Sequence, residues 1–377
     1  MWADLRFLLF GAMSLMVYNV FLHCLPFFIA CFGGQFSNYA HVVYAVASNC
    51  VQLFSIFIGS HLPFDHRILT ACLGLATVSI LFPVFAVSSN MNKQFLGLIL
   101  SGGLGMFCAI IQSTGSGLAG LSSPTAVVYF YLGQSISCLL PWPVIEGLNG
   151  VYRRFGLSSI SLDRPSPSDT ATTLTVMVSA AIISILFIVY YFQAFTEKLK
   201  PPTSTWASIK RVLGDMWPWA LCTLSLFGVT FSVYPSLLLR WLPSWDIYPG
   251  ELFYSNMMIY LAIVFDVVGM YLPLTGLKLP PRGVQVGIAA RIVIIPALIY
   301  CPEHDAVRAA VVALMTLSGG YLLSLALEYG VGAVLPDDAD NAGYILSFCL
   351  SSGLAVGSIL NWFALSDVGQ FTSAVRV

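Results

Sequence analysis

Charge is what this sequence has least of. Of its 377 residues 9% are Asp, Glu, Lys or Arg and 58% are apolar, whereas a soluble globular domain carries about 25% charge. The apolar residues are spread along the whole chain, which excludes a soluble domain with one anchor. The net charge is −1, so there is no electrostatic case for nucleic acid as a partner. The sequence also lacks CxxC pairs and any Cys/His spacing of a zinc site, so neither a disulfide framework, a metal site nor a bound cofactor is expected. Its nine cysteines fall in or beside apolar stretches and read as small apolar residues. No GxxxxGK[ST] loop is present, which argues against an ATP-driven pump. No N-x-[ST] sequon marks a glycosylated loop, and no small-residue cleavage site follows the N-terminal apolar run. That run is expected to be the first membrane helix.

What is present is a succession of long apolar runs. A spanning helix needs about 20 mostly apolar residues, and in lipid only helices or closed barrels satisfy the backbone. The runs are too uniformly apolar for barrel strands. They predict an all-α polytopic membrane protein, with eleven helices near 5–31, 40–60, 68–88, 95–120, 124–146, 173–195, 214–239, 252–275, 284–301, 307–333 and 340–363. The "LSSP" turn at 121–124 separates the fourth from the fifth.

Two polar connections stand out. Residues 147–172 are Pro/Ser-rich, and residues 196–213 hold Lys198, Lys200, Lys210 and Arg211. Basic loops favour the cytoplasm. Six helices precede the second loop, which puts the N-terminus inside and, with eleven helices, the C-terminus outside. Inside then holds Arg6, Arg67, Lys198, Lys200, Lys210, Arg211, Lys278 and Arg282; outside holds Lys93, Arg153, Arg154, Arg164, Arg240 and Arg376. The same loop divides the chain into a six-helix bundle (1–197), a cytoplasmic linker (198–213) and a five-helix bundle (214–377). Two-bundle transporters hold substrate between the bundles near the midplane.

Three charges sit inside the runs: Asp266, Arg291 and Glu328. Each costs at least about 2.5–3.5 kcal/mol on insertion scales. At 1.5 Å per residue Asp266 and Arg291 both lie about 12–15 Å deep, so they are expected to be able to pair, and Glu328 to reach Arg291. The uncharged polar residues are Tyr18 and Asn19 in the first helix, Asn49 and Gln52 in the second, and Gln112 in the fourth. Gln134 follows in the fifth helix, and Thr230 and Ser232 in the seventh. Each alone is interhelical glue; together they outline a polar cavity, with Asp266 facing it as an acceptor of hydrogen bonds from a small-molecule substrate. His61, Asp65 and His66 share one loop and read as solvated groups rather than a catalytic set. A polytopic membrane enzyme, the alternative from a different class, would need such a set at one interface.

These residues resemble the equilibrative nucleoside transporter family. The resemblance is carried by "SGGYLLSLALEYGVGAVLPDDADNAGYILSFCLSSGLAVGSIL", by "ARIVIIPALIYC" with Arg291, and by "FSVYP" and "FDVVG". In the first half it rests on "IIQSTGSGLAG" and "GQS". It implies a major-facilitator-like fold with the N-terminus inside. It further implies facilitated, alternating-access movement of nucleosides or nucleobases, purines favoured, with proton coupling open, at the plasma membrane. Carried over, Gln112 would contact the base and Asp266 the ribose hydroxyls. Two departures bear on substrate. Met270 stands where the family's signature Arg follows the helix-eight Gly, and Tyr18 stands where its Trp-Asn pair has Trp. Lacking that Arg, Asp266 could instead serve a small organic cation, the alternative cargo on the same fold. The candidate substrate residues are thus Tyr18, Asn19, Asn49, Gln112, Gln134, Ser232, Asp266, Met270 and Arg291.

Overall fold

A computed structural model describes residues 2–33, 36–58, 62–87, 92–154, 167–196, 205–234, 238, 241, 244 and 251–374, with the backbone alone at several helix ends, among them 151–154, 167–170, 189–196 and 362–374. Within the described residues the chain forms α-helices and short 3-10 turns. The first eight helices are α1 (Trp2–His23), α2 (Leu25–Phe32), α3 (Phe36–Ile58), α4 (Phe64–Ala86), α5 (Lys93–Ser122), α6 (Pro124–Ser137), α7 (Pro141–Arg154) and α8 (Pro167–Thr196). The remainder are α9 (Trp206–Phe231), α10 (Glu251–Tyr271), α11 (Pro281–Ala290), α12 (Ile294–Ile299), α13 (Asp305–Gly332) and α14 (Ala339–Ala374). They supply 11 segments long and apolar enough to cross a membrane, in agreement with the sequence count.

The boundaries differ from the sequence expectation mainly where proline intervenes. A proline has no N–H for the carbonyl four residues earlier. The expected first helix, 5–31, breaks at Cys24, two residues before Pro26. The expected fifth ends at Ser137, the residue whose carbonyl Pro141 cannot serve, and α7 starts at that proline. The expected seventh helix ends at Phe231 rather than 239, four residues before Pro235. The expected ninth is interrupted by a 3-10 turn, Arg291–Val293, ahead of Pro296. Pro83 and Pro218, by contrast, lie within the continuous helices α4 and α9. The expected polar loop 147–172 is partly helical, since α7 and α8 reach into it; its middle lies outside the described residues. Helix α9 starts at Trp206, so Lys210 and Arg211 are helical, while Lys198, Lys200 and His61 lie outside the described residues. The "LSSP" turn is where the sequence placed it. Ser123 is extended, and its hydroxyl accepts from the Ala126 N–H at 3.0 Å, an N-cap for α6.

The chain forms two compact units. One comprises residues 1–212 and 334–348, the other 213–333 and 349–377. In the first, α1 runs along α6, α3 along α5, and α4 packs on both α5 and α8. The α1–α6 contact depends on glycine. A Cβ on Gly133 would stand 1.9 Å from the Leu8 carbonyl oxygen, and one on Gly11 would stand 1.8 Å from that of Phe130. Small residues let backbones meet where apolar burial gives no drive, because lipid is as apolar as leucine. In the second unit α10 runs along α13, with α11 and α12 against the same helix. Tyr254, Met258, Ala262, Val312 and Met315 are buried together there.

All nine cysteines are free thiols. Cys24 and Cys31 are buried and sit as small apolar residues.

Candidate functional site

In the first unit, four side chains form one hydrogen-bonded line across four helices. Gln52 Nε2 on α3 donates to Gln112 Oε1 on α5 at 3.0 Å. Gln112 Nε2 donates to Gln134 Oε1 on α6 at 3.3 Å. Gln134 Nε2 donates to Ser14 Oγ on α1 at 3.1 Å. The Ser14 hydroxyl spends its proton on the Gly11 carbonyl at 2.7 Å. Two of these residues, Gln112 and Gln134, are on the sequence-derived roster. Ser14 was not, and Gln52 appeared only as a polar residue of the second helix. All four are buried. Amides in an apolar bundle need such partners, since an unsatisfied polar group there costs several kcal/mol.

Tyr18 and Asn19 lie beside this line on α1. The Tyr18 ring stacks on Tyr44 of α3, with centroids 4.1 Å apart and planes 18° from parallel. Asn19 Nδ2 donates to Ser137 Oγ at 2.6 Å, three residues after Gln134 and hence on the same face of α6. Asn49 Nδ2 donates to the Ala45 carbonyl one turn back on its own helix.

In the second unit the Arg291 guanidinium is buried, and it emerges at the 3-10 turn that interrupts the ninth span. Its Nη1 donates to the Met315 carbonyl at 2.7 Å and to Ser318 Oγ at 2.7 Å. Its Nη2 donates to Thr230 Oγ1 at 3.0 Å. Asp266 is half-buried on α10, and its charge acts on Arg291. Gly320 of α13 makes room for it. A Cβ at Gly320 would lie 2.2 Å from the Asp266 carbonyl oxygen and 3.0 Å from its Oδ1. Met270, one turn on from Asp266, is fully buried at 0% exposure. Ser232 turns back to its own helix, donating to the Val229 carbonyl at 2.8 Å.

Glu328 does not extend this group as the sequence suggested. It forms an ion pair with Lys278. Physically, the 276–280 segment folds back along α13. There Tyr321 and Tyr329 donate to the Leu277 and Leu279 carbonyls at 3.1 and 2.7 Å, which brings Lys278 to Glu328.

Two charges escaped the sequence reading. Arg67, counted there as a loop charge, lies in the first turn of α4, buried, with its guanidinium 4.5 Å over the Phe64 ring. Its Nη1 donates to Tyr344 Oη at 3.2 Å. Asp340, the first residue of the expected eleventh helix, is 1% exposed. Both lie at the polar edge of a run, where a hydropathy count treats a charge as solvated. No such count could place Tyr344 against Arg67.

Eleven apolar spans among the described residues define a polytopic, integral membrane protein, and solved transporters of the major facilitator superfamily share its fold. The fucose:proton symporter of E. coli superposes with a TM-score of 0.61 at 14% identity, covering 96% of this chain and 95% of that one. A proton:xylose symporter of the superfamily, bound to 6-bromo-6-deoxy-D-glucose, gives 0.64 at 12% identity, covering 99% of this chain and 89% of that one. At such identities the likeness concerns the fold alone.

The sequence profile described as "Nucleoside transporter" matches residues 77–365, and the chain belongs to the nucleoside transporter family. Equilibrative nucleoside transporter 1 of Mus musculus is 32% identical over 183 residues, covering 43% of this chain and 39% of that protein. Equilibrative nucleoside transporter 1 of Homo sapiens is 28% identical over the same length. Equilibrative nucleoside transporter 2 of Mus musculus is 29% identical over 174 residues. The chain thus spans about two-fifths of the length of the curated relatives it matches.

Proposed function

We propose that this protein carries nucleosides or nucleobases, purines foremost, across a membrane by facilitated diffusion and alternating access. The observation that carries the reading is the buried line Gln52–Gln112–Gln134–Ser14. Polar amides are costly to bury in a lipid-embedded bundle, and here they converge from four helices on the glutamine that the family resemblance assigns to the base. Asp266 accepts hydrogen bonds from the sugar hydroxyls, with Arg291 as its countercharge. Tyr18, Asn19, Asn49, Ser232 and Met270 complete the substrate contacts. The rocking elements are a six-helix N-terminal bundle and a five-helix C-terminal one, joined through the basic segment 198–213. The N-terminus is cytoplasmic, the C-terminus is extracellular, and the membrane is the plasma membrane.

The test is initial uptake of labelled adenosine in cells that lack nucleoside uptake, with hypoxanthine and a small organic cation as competitors, at two external pH values. Saturable uptake blocked by the purine supports the reading, and a pH dependence of the rate would add proton coupling to it. Asp266→Asn is expected to lower uptake at least tenfold with normal surface expression; unchanged uptake would remove Asp266 from the site. One observation favours a second cargo. The uncharged Met270 lies one turn from Asp266, a setting suited to a small organic cation. Saturable cation uptake that nucleosides do not inhibit would support that cargo instead.

A further inference from the structure

The polar line in the first unit has a direction, and a single backbone group sets it. The Gly11 carbonyl can only accept, so Ser14 must donate to it and is left to accept from Gln134. Gln134 then faces Ser14 with its nitrogen and Gln112 with its oxygen. Gln112 in turn faces Gln134 with its nitrogen and Gln52 with its oxygen. Gln52 therefore meets Gln112 with nitrogen, and its own oxygen forms the far end of the line. Reversing any one amide would set two acceptors or two donors against each other, so the assignment follows from the network.

Among the described residues that terminal oxygen has no hydrogen-bond partner. Gln52 is 0% exposed, and its Oε1 is a buried acceptor without a donor. Its position is fixed by the helix pair that carries it. Ser113, the residue after Gln112 on α5, donates through its Oγ to Ser55 Oγ, three residues on from Gln52 along α3, at 3.1 Å, which holds the two helices in register beside Gln52 and Gln112. A buried acceptor held in place and left unpaired is costly, and a ligand that brings an N–H removes the cost.

We infer that Gln52 is a specificity-determining residue, and that its free oxygen selects nucleobases carrying an exocyclic amino group over their oxo counterparts. The inference rests on the nucleoside reading above, in which Gln112 contacts the base. An amino-purine or amino-pyrimidine edge donates to Gln52 Oε1. An oxo base at the same edge presents a carbonyl oxygen and leaves the acceptor facing another acceptor. Sites built to hydrogen-bond one such group discriminate strongly against the analogue lacking it.

Three nucleosides test this in the same uptake-deficient cells: adenosine, inosine and purine riboside, which carries hydrogen in place of the amine. Wild type is expected to take up adenosine with about tenfold or greater efficiency over inosine, with purine riboside between them. Gln52→Leu is expected to bring the adenosine-to-inosine uptake ratio from about tenfold down to about twofold or less, whatever the change in overall rate, since Gln112 Oε1 also loses its donor. A merely structural role for Gln52 would depress all three together. If Gln52→Leu does not reach the surface, Gln52→Met, unbranched and closer in length, takes its place. Equal uptake of adenosine and inosine by the wild type would overturn this inference and leave the nucleoside reading standing. A preference that persists in the Gln52 variant would overturn the assignment to Gln52. No saturable uptake of any of the three by surface-expressed wild type would overturn the nucleoside reading and this inference with it.

Discussion

Gln134 donates its side-chain N–H to Ser14 Oγ at 3.1 Å, and the residue before it, Gly133, is what lets α6 come close enough to α1 for that bond. Polar pairing and backbone approach are two parts of one contact. Gln134→Leu keeps roughly the volume and removes the amide's acceptor and donor together, so Gln112 Nε2 loses its acceptor. An orphaned buried donor costs about 1–3 kcal/mol. The expected outcome is a lowered thermal midpoint of the detergent-solubilised protein; an unchanged midpoint would mean that water or a neighbour replaces the bond.

Gly133→Val tests the approach itself. Its first side-chain carbon would meet the Leu8 carbonyl oxygen at 1.9 Å, where backbone cannot yield as a flexible side chain does. Overpacking costs about 1–3 kcal/mol when repacking is possible, and backbone on both sides leaves little to repack. Loss of folded protein by size-exclusion profile is expected. Gly147→Val, where an added Cβ meets nothing within 4 Å, is the control that retains the wild-type profile.

Arg291→Lys keeps a charge in the membrane interior but not the fork that reaches Thr230, Met315 and Ser318 together. Lysine carries a single ammonium and cannot reproduce that spread. The expected loss is about 2 kcal/mol or more, since hydrogen bonds to charged groups contribute about 1.5–3 kcal/mol each. It is read as a fall in the thermal midpoint. Wild-type stability in the lysine variant would mean that charge alone suffices at this position.

Asp305 opens α13, and both its carboxylate oxygens accept from the Ser244 N–H at 3.0 Å, while Ser244 Oγ accepts from the Asp305 N–H at 3.3 Å. Nearby, Arg308 lies over the Trp241 ring at 5.1 Å. Asp305→Ala is expected to destabilise by about 1.5–3 kcal/mol, the scale of a hydrogen bond to a charged group, read as a fall in the thermal midpoint. The exposed Lys278–Glu328 pair is the contrast. Lys278→Ala is expected to change stability by about 1 kcal/mol or less, as surface ion pairs do.

The eleven spans were legible because lipid makes a strong demand on composition, and each run of about 20 apolar residues answers it. The breaks inside spans were written in Pro26, Pro141 and Pro296, yet Pro83 and Pro218 do not break α4 and α9. Proline therefore marks a site where a helix can part, and packing decides whether it does. Gln112, Gln134, Asn19 and Arg291 were legible as polar residues out of place. Gln52 and Thr230, partners of Gln112 and Arg291, were legible with them, whereas Ser14 and Ser137 were not, because they are ordinary helix serines by composition. Arg67 and Asp340 were missed for the opposite reason. Each lies within a turn of a helix end, where charge is unremarkable, and only tertiary packing takes it out of water.

The Gly11 carbonyl governs more than its own helix. It acts on the far amide as an anchor acts on the free end of a rope: whichever way the first knot is tied, the last strand must face accordingly. Ser14→Ala would untie that knot, and all three glutamines could then turn over together, offering nitrogen where the protein now offers oxygen. Taste for one base over another could thus be rewritten by a hydroxyl that never meets the cargo, three side chains away from it.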